Sequence, residues 1–183
     1  MLLKNMEISP EILEKAKKIK FLLLDVDGVL TDGKIIVTEE GKEIKNFNVL
    51  DGMGIKLLQK IEVEVGILSS RYSKTVEHRA RELGIEFVIQ GELTKISAYE
   101  NLLKKKGLKD EEIAYIGDDW VDLPILKRVG FAVCVPNAWD PLNQYVDYIT
   151  RHPGGEGAVR EVCEIILKAK GKWQEILNFY LTF

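Results

Sequence analysis

The stretch Phe21-Leu22-Leu23-Leu24-Asp25-Val26-Asp27-Gly28 constrains the fold of this chain more than any other. A short apolar run leads directly into two acids separated by one residue, then a glycine. A continuous apolar run of this length reads as a strand buried on both faces, and Asp-Gly reads as the turn that ends it. The acids therefore fall at the C-terminal end of a strand, the edge at which open α/β sheets bind ligands. Residues i and i+2 of a strand share a face, so Asp25 and Asp27 can approach one site. Two carboxylates that close repel unless a cation or a shared proton relieves them. Magnesium, which takes hard oxygen ligands and often keeps phosphate as another, suits such a pair. An acidic turn with no ligand is the plain alternative for this segment alone.

A second segment repeats the pattern. Ile113-Ala114-Tyr115-Ile116-Gly117-Asp118-Asp119-Trp120-Val121-Asp122 is again an apolar run that ends in carboxylates. Between the two lie Ser69-Ser70-Arg71, after the apolar run Val65-Gly66-Ile67-Leu68, and Lys95 at the start of a predicted helix. Taken singly, Lys95 reads as a solvated helix-start lysine. The series strand-DxD, strand-Ser, helix-Lys, strand-GDDxxxD is far more specific than any member of it.

Strand and helix patterns alternate along the chain. Ser9-Pro10-Glu11 opens a short helix, with Ser as cap and Pro in the first turn. The first strand is expected over Ile19 to Asp25. Two β-rich runs around Gly41, within about residues 33–49, read as a hairpin. Asp51-Gly52-Met53-Gly54 leads toward a helix near Ile55 to Ile61. A helix over Ser73 to Leu83 ends at Gly84. Later strands are expected near Phe87, Ala114, Ala132 and Tyr148, with helices starting near Thr94, Val121, Trp139 and Gly157. This alternation predicts an α/β fold: a doubly wound, Rossmann-like parallel sheet with helices on both faces, plus a protruding hairpin. One domain is expected over residues 1–183, with a C-terminal tail over about 172–183.

Composition narrows the function. The chain carries 46% apolar and 30% charged residues and a net charge of −3. That balance suits a soluble globular protein and lacks the basic excess of a nucleic-acid binder. No apolar run reaches the roughly 20 residues of a membrane helix. The first residues, Met1 to Glu7, lack the apolar core of a signal peptide. Cys134 and Cys163 sit in apolar stretches and are expected as buried, reduced thiols, consistent with a cytoplasmic protein.

The ordered motifs resemble the haloacid dehalogenase-like phosphohydrolases at each of that family's four motifs. The resemblance implies that Asp25 is a nucleophile that forms an aspartyl-phosphate and Asp27 the general acid and base. It implies that Ser69 and Lys95 bind the phosphoryl oxygens. A magnesium ion would be held by Asp25, by Asp118 and by Asp27 through its backbone carbonyl. Asp119 and Asp122 would stand behind those ligands. Many members carry a cap domain between the first and second motifs or between the second and third. Residues 28–68 and 70–94 are too short for a domain of about 50 residues plus the expected elements. No cap is therefore expected, and a neighbouring subunit is the simplest source of a lid. Ile35, Val37, Ile44 and Phe47 of the hairpin are one candidate contact, and the apolar tail from Trp173 to Phe183 is another. Each could instead pack on its own domain.

Phe47 to Ile55, Gly154 to Cys163 and Gly117-Asp118-Asp119 with Asp122-Leu123-Pro124 resemble one capless branch closely, the 3-deoxy-D-manno-octulosonate 8-phosphate (Kdo-8-phosphate) phosphatases of lipopolysaccharide synthesis. That resemblance implies a homotetramer whose sites are closed by neighbouring subunits, with no nucleic-acid or membrane partner. It implies a substrate region of Asn48, Val49, Leu50, Asp51 and Gly52, with Arg71, Arg79 and Lys56 reading a sugar acid. Arginine suits a substrate carboxylate, which its planar fork bonds in two places. The chain departs from the branch at Leu50, where Arg is usual, at Ser69-Ser70, where Thr-Gly is usual, and at Glu156, where a basic residue is common. Its tail is also more aromatic. These departures bear on substrate identity more than on reaction type. The rival readings are a phosphatase for a ketodeoxynonulosonate or N-acetylneuraminate 9-phosphate, and a non-catalytic oligomerisation domain. About 18 residues precede the first strand, so no fusion partner is expected.

Overall fold

Apolar runs become strands of one parallel sheet in the computed structural model, which describes residues 8–182. The strands are β1 (Phe21–Leu24), β4 (Glu64–Ser69), β5 (Phe87–Gln90), β6 (Ile113–Gly117), β7 (Phe131–Cys134) and β8 (Tyr148–Ile149), in the order β5-β4-β1-β6-β7-β8. The hairpin pairs β2 (Ile36–Val37) with β3 (Glu43–Ile44) as a separate antiparallel ribbon. β1 is central, and its Leu24 lies opposite Ile67 of β4 and Ile116 of β6. Chain order runs outward from β1 through β4 to β5, then returns to the other side for β6, β7 and β8. The crevice beside the C-terminal end of β1 is thus the topological switch point, where ligands bind in such sheets.

Side-chain alternation along β1 feeds two cores. Leu22 and Leu24 enter the layer that holds α1 (Pro10–Lys18), α2 (Val49–Gln59), α3 (Lys74–Leu83) and α6 (Ala158–Ala169). Phe21 and Leu23 enter the opposite layer, against α4 (Lys95–Lys106) and α5 (Leu123–Leu126). The expected doubly wound fold is borne out, and among the described residues no cap domain interrupts it. No described helix is long and apolar enough to cross a membrane.

The caps expected from the sequence also hold. Ser9 Oγ accepts from Ile12 N at 3.3 Å, and Gly84 ends α3 at a left-handed φ of 69°. Both cysteines are buried and unpaired.

Two element boundaries differ from expectation. α2 starts at Val49, well before Ile55, because Asn48 Oδ1 caps Leu50 N at 2.8 Å and the glycines behind it stay helical. Gly54 is there for close helix approach: a Cβ on it would lie 3.0 Å from Arg160 Cα and 3.2 Å from Cys163 Cβ of α6. The expected helix at Trp139 is a 3-10 segment over Asp140–Tyr145, and that at Val121 is a 3-10 turn, Trp120–Asp122, running into α5.

The apolar tail forms α7 (Trp173–Leu181). Ile176 is buried and Trp173 packs on the core beside α6. Lys60, in the turn entering β4, stacks 3.8 Å over the Phe179 ring. That turn is at the sheet edge opposite Asp25, so Trp173, Ile176 and Phe179 meet their own domain there, while Leu177 and Leu181 stay exposed. Met1 to Glu7 and Phe183 lie outside the described residues.

Candidate active site

The period of two that sends Phe21 and Leu23 toward α4 sends Asp25 there as well. Lys95, the first residue of α4, meets it. Its Nζ lies 2.8 Å from Asp25 Oδ1, 2.7 Å from Asp122 Oδ1 and 3.2 Å from the Tyr115 hydroxyl. The Lys95 side chain is fully shielded from solvent. A buried ammonium needs paired charge and filled donors, and the two carboxylates and the phenol provide both. Burial pulls the Lys95 pKa down, but the charges of Asp25 and Asp122 more than compensate and leave it raised.

Asp122 is fully committed. Its Oδ1 accepts from Lys95 and from the Tyr115 hydroxyl, the latter at 2.5 Å. Its Oδ2 accepts from the backbone N–H groups of Asp118 and Asp119 at 2.8 and 3.1 Å. Gly117 leaves room for this, since a Cβ there would lie 2.6 Å from Asp122 Cβ. Asp122 therefore shapes the Asp118 loop and orients Lys95. Asp119 caps the following turn through Trp120 N at 2.7 Å.

Asp118 faces Asp25. Carboxylate oxygens of Asp25, Asp118 and Asp122 lie within 4.8 Å of one another, close enough to share a metal ion. Burial, opposed by Lys95 and reinforced by Asp122, pushes the Asp25 pKa up to about 6. Burial and the charges of Asp25 and Asp122 push that of Asp118 up to about 8. One ammonium thus faces three carboxylates, and the surplus negative charge fits a divalent cation. With Asp122 consumed by its hydrogen bonds, the carboxylates left to ligate are those of Asp25 and Asp118.

These groups open on a cleft of about 250 Å³, whose walls include Asp27, Ser69, Ser70 and Arg71. Ser69, at the end of β4, is buried, and its Oγ accepts from Arg71 N at 3.2 Å. Asp27 Oδ1 pairs with Lys45, which follows β3 and whose side chain is 2% exposed, while Asp27 Oδ2 is buried with no partner among the described residues. Glu43 of β3 joins both sides of the rim, 3.3 Å from Lys45 Nζ and 2.7 Å from Arg71 Nη2. Sequence reading missed Lys45. No local spacing marks it, and only the hairpin's return brings it to Asp27.

The acid loop is braced from behind. Gly28 adopts φ +92°, and a Cβ there would overlap the Asp118 carboxylate. Asn137 bridges the loop to the α6 approach, donating to Gly28 O at 3.2 Å and accepting from Gly154 N at 2.8 Å.

The remaining sequence candidates sit elsewhere within this chain. Asn48 caps α2 and donates to Gly155 O at 3.1 Å. Asp51 Oδ1 accepts from Arg160 N at 2.8 Å and so ties α2 to the start of α6; burial raises its pKa. Gly52 lies against Arg79, which donates to Asn48 O at 3.3 Å and to Glu82 at 2.9 Å. Lys56 approaches Gly84. Val49 and Leu50 are exposed. None of these seven residues lines the Asp25 cleft. Leu50 instead lines a separate groove of about 640 Å³ together with Glu156, Arg151 and His152.

A family model described as haloacid dehalogenase-like hydrolase matches residues 67–162. The chain belongs to the haloacid dehalogenase-like hydrolases. Over 168 residues it is 45% identical to the 3-deoxy-D-manno-octulosonate 8-phosphate phosphatase KdsC of Escherichia coli strain K12, covering 92% of this chain and 89% of that protein. The Yersinia pestis KdsC is 42% identical over 165 residues, covering 90% of this chain and 88% of that protein. The crystal structure of 3-deoxy-D-manno-octulosonate 8-phosphate phosphatase from Moraxella catarrhalis, in complex with magnesium ion, phosphate ion and a KDO molecule, superposes with a TM-score of 0.92 at 44% identity. It covers 94% of this chain and 99% of that one.

Proposed function

We propose that this chain is a magnesium-dependent phosphatase that hydrolyses 3-deoxy-D-manno-octulosonate 8-phosphate to Kdo and inorganic phosphate, in the cytoplasm and toward lipopolysaccharide. The observation that carries the reading is the buried Asp25–Lys95–Asp118–Asp122 cluster at the switch point of the sheet. Similarity to the KdsC proteins along most of the chain supports the substrate.

In this reading the chain works as one domain. Asp25 attacks phosphorus, and its carboxylate oxygen forms a bond to phosphorus as the ester P–O bond breaks. The leaving alkoxide takes a proton from Asp27. Water then gives a proton back to Asp27 and attacks the aspartyl-phosphate, which restores Asp25 and releases phosphate. Splitting the hydrolysis into two displacements lowers each barrier, and acid–base exchange at one carboxyl serves both halves. Lys95 and the Ser69 hydroxyl offset and orient the phosphoryl oxygens. Asp25, Asp118 and the backbone carbonyl of Asp27 would hold the magnesium ion, which neutralises charge and polarises phosphoryl oxygen when bound.

The exposed apolar residues of the hairpin, Ile35, Ile36, Val37 and Ile44, support a homotetramer in which neighbours close each cleft. A lone two-stranded hairpin is marginal in water. Asn48 to Gly52, Lys56, Arg71 and Arg79 would then serve the sugar acid within the assembly.

One observation favours a second substrate of the same class. Leu50 and Glu156, the two positions where a usual cation is missing, line one groove. A different sugar acid phosphate would meet its altered charge there. Phosphate release tests both readings. We expect magnesium-dependent turnover of Kdo-8-phosphate, abolished by EDTA and far above that of N-acetylneuraminate 9-phosphate, ketodeoxynonulosonate 9-phosphate and p-nitrophenyl phosphate. A preference for either of the nine-carbon acids would reassign the substrate to the second reading, and no turnover of any would contradict the activity.

A further inference from the structure

β3 and the residue after it read Glu43-Ile44-Lys45. The period of two sends Glu43 and Lys45 to one side of the hairpin and Ile44, which is exposed, to the other. The Lys45 side chain is shielded from solvent and sits on Asp27 Oδ1. A buried ammonium must be paired, and its carboxylate partners among the described residues are Asp27 and, at 3.3 Å, Glu43. Glu43 Oε1 also accepts from Arg71 Nη2 at 2.7 Å, so the group that holds the ammonium is itself held. Asp27 lines the cleft and Lys45 does not. With Asp27 Oδ2 closed to solvent, Oδ1 is the oxygen left to exchange a proton in the cleft, and it is the oxygen that Lys45 grips. Lys45 thus stands behind the carboxyl that the reaction needs, out of reach of a ligand in the cleft.

We propose that Lys45 is the positioning residue of the acid–base step, its ammonium fixing the Asp27 carboxyl that protonates the leaving group and then deprotonates water. The inference rests on the phosphatase reading and adds to it a residue that touches no substrate atom. A carboxyl in a strand-end turn rotates freely unless something holds it, and proton transfer needs its oxygen within about 3 Å of the reacting group. The ion pair from the hairpin removes that freedom before substrate arrives, and misplacing a reacting group by about 1 Å can cost about a hundredfold in rate. The two halves of the reaction expose the role separately. In the first, Asp25 bonds to phosphorus, the ester P–O bond breaks, and Asp27 gives its proton to the leaving oxygen. A sugar alkoxide needs that proton, whereas p-nitrophenolate leaves as a stable anion without it. In the second, water gives a proton to Asp27 and its oxygen bonds to phosphorus, whatever the leaving group was. Loss of Lys45 therefore slows both halves with Kdo-8-phosphate but only the second with p-nitrophenyl phosphate.

The wild type, Lys45→Met and Lys45→Arg are compared with both esters and magnesium, by steady-state and rapid-mixing kinetics and by acid-quenched covalent phosphate. Calorimetric binding of inorganic phosphate and thermal unfolding serve as controls. Lys45→Met should fold, because the Asp27 and Glu43 side chains are each 20% exposed and can draw on water. With Kdo-8-phosphate its kcat should fall about a hundredfold while KM stays within about threefold of wild type. With p-nitrophenyl phosphate it should give a burst of nitrophenolate nearly stoichiometric with sites, then slow phosphate release, with covalent phosphate accumulating on quenching. Phosphate affinity should match that of the wild type, since Lys45 does not line the cleft. Lys45→Arg keeps the charge and the donors and should regain most of kcat. A kcat for Lys45→Met within about threefold of wild type overturns the proposal. So does a fall shared by both esters with neither burst nor covalent phosphate, or one matched by lost phosphate affinity, since each would place Lys45 in phosphoryl binding or in the fold. A wild type that releases phosphate from neither ester overturns the phosphatase reading and this role with it, whereas an active wild type beside an unaffected Lys45→Met overturns the role of Lys45 alone.

Discussion

Asp25→Asn is expected to lower magnesium-dependent phosphate release by about four orders of magnitude or more, while the fold and the state of association stay those of the wild type. The amide has nearly the shape of the carboxylate but cannot form the acyl-phosphate bond, and loss of a nucleophile removes the reaction path and leaves only residual positioning. Stability argues the same way. Burial already pushes Asp25 up to about 6, and Asp118 beside it up to about 8, so this end of the sheet holds more negative charge than it needs. A neutral side chain at position 25 removes one repulsion from Asp118 and one attraction to Lys95, and these changes oppose each other. The check is phosphate release alongside circular dichroism and size-exclusion chromatography. Turnover retained within about tenfold of wild type would show that another group attacks phosphorus.

Lys95→Met should have the largest effect on stability. The substitution keeps much of the volume and removes the ammonium that pairs with Asp25 and Asp122, both buried. Breaking a buried ion pair from one side leaves uncompensated charge and costs about 3–5 kcal/mol. The cost should depend on pH with a definite sign. A carboxyl whose folded pKa is raised weakens the folded state as pH rises through its unfolded and then its folded value. Without Lys95, which opposes the effect of burial, the carboxyl of Asp25 is driven higher still. The deficit against wild type should therefore be smaller at about pH 5, where the folded variant takes up protons, than at about pH 8. Urea unfolding in EDTA at both values measures it. A deficit that is absent, or that grows on acidification, would contradict the assigned charge balance.

How much of this was legible in the sequence depended on the range of the interaction that fixes each feature. The strand-end acids were readable because the apolar run, the turn pair and the period of two are local. Gly84 closing α3 and Ser9 opening α1 were readable for the same reason. The order of Asp25, Ser69, Lys95 and Asp118 carried the site, since a parallel sheet brings successive strand ends to one edge. Three features escaped. Lys45 reaches Asp27 only because a hairpin folds back, and hairpin register is not a motif. Gly52 and Gly54 look like a loop in sequence but serve helix contacts, Gly52 against Arg79 and Gly54 against α6. The resemblance places Asp51 in the substrate region, and its contact to the start of α6 within this chain is a tertiary one that no local pattern marks. The division of labour between Asp119 and Asp122 also needed tertiary contacts, because four donors converge on Asp122 alone.

The most direct measurement of the central claim is acid quenching of the wild type during turnover of Kdo-8-phosphate with magnesium, followed by peptide mapping for the phosphorylated residue. The account predicts phosphate on the peptide that contains Asp25, labile to hydroxylamine as an acyl-phosphate must be, and absent when the mapping is repeated with Asp25→Asn. Turnover with no covalent phosphate at Asp25, or phosphate on another residue, would contradict it.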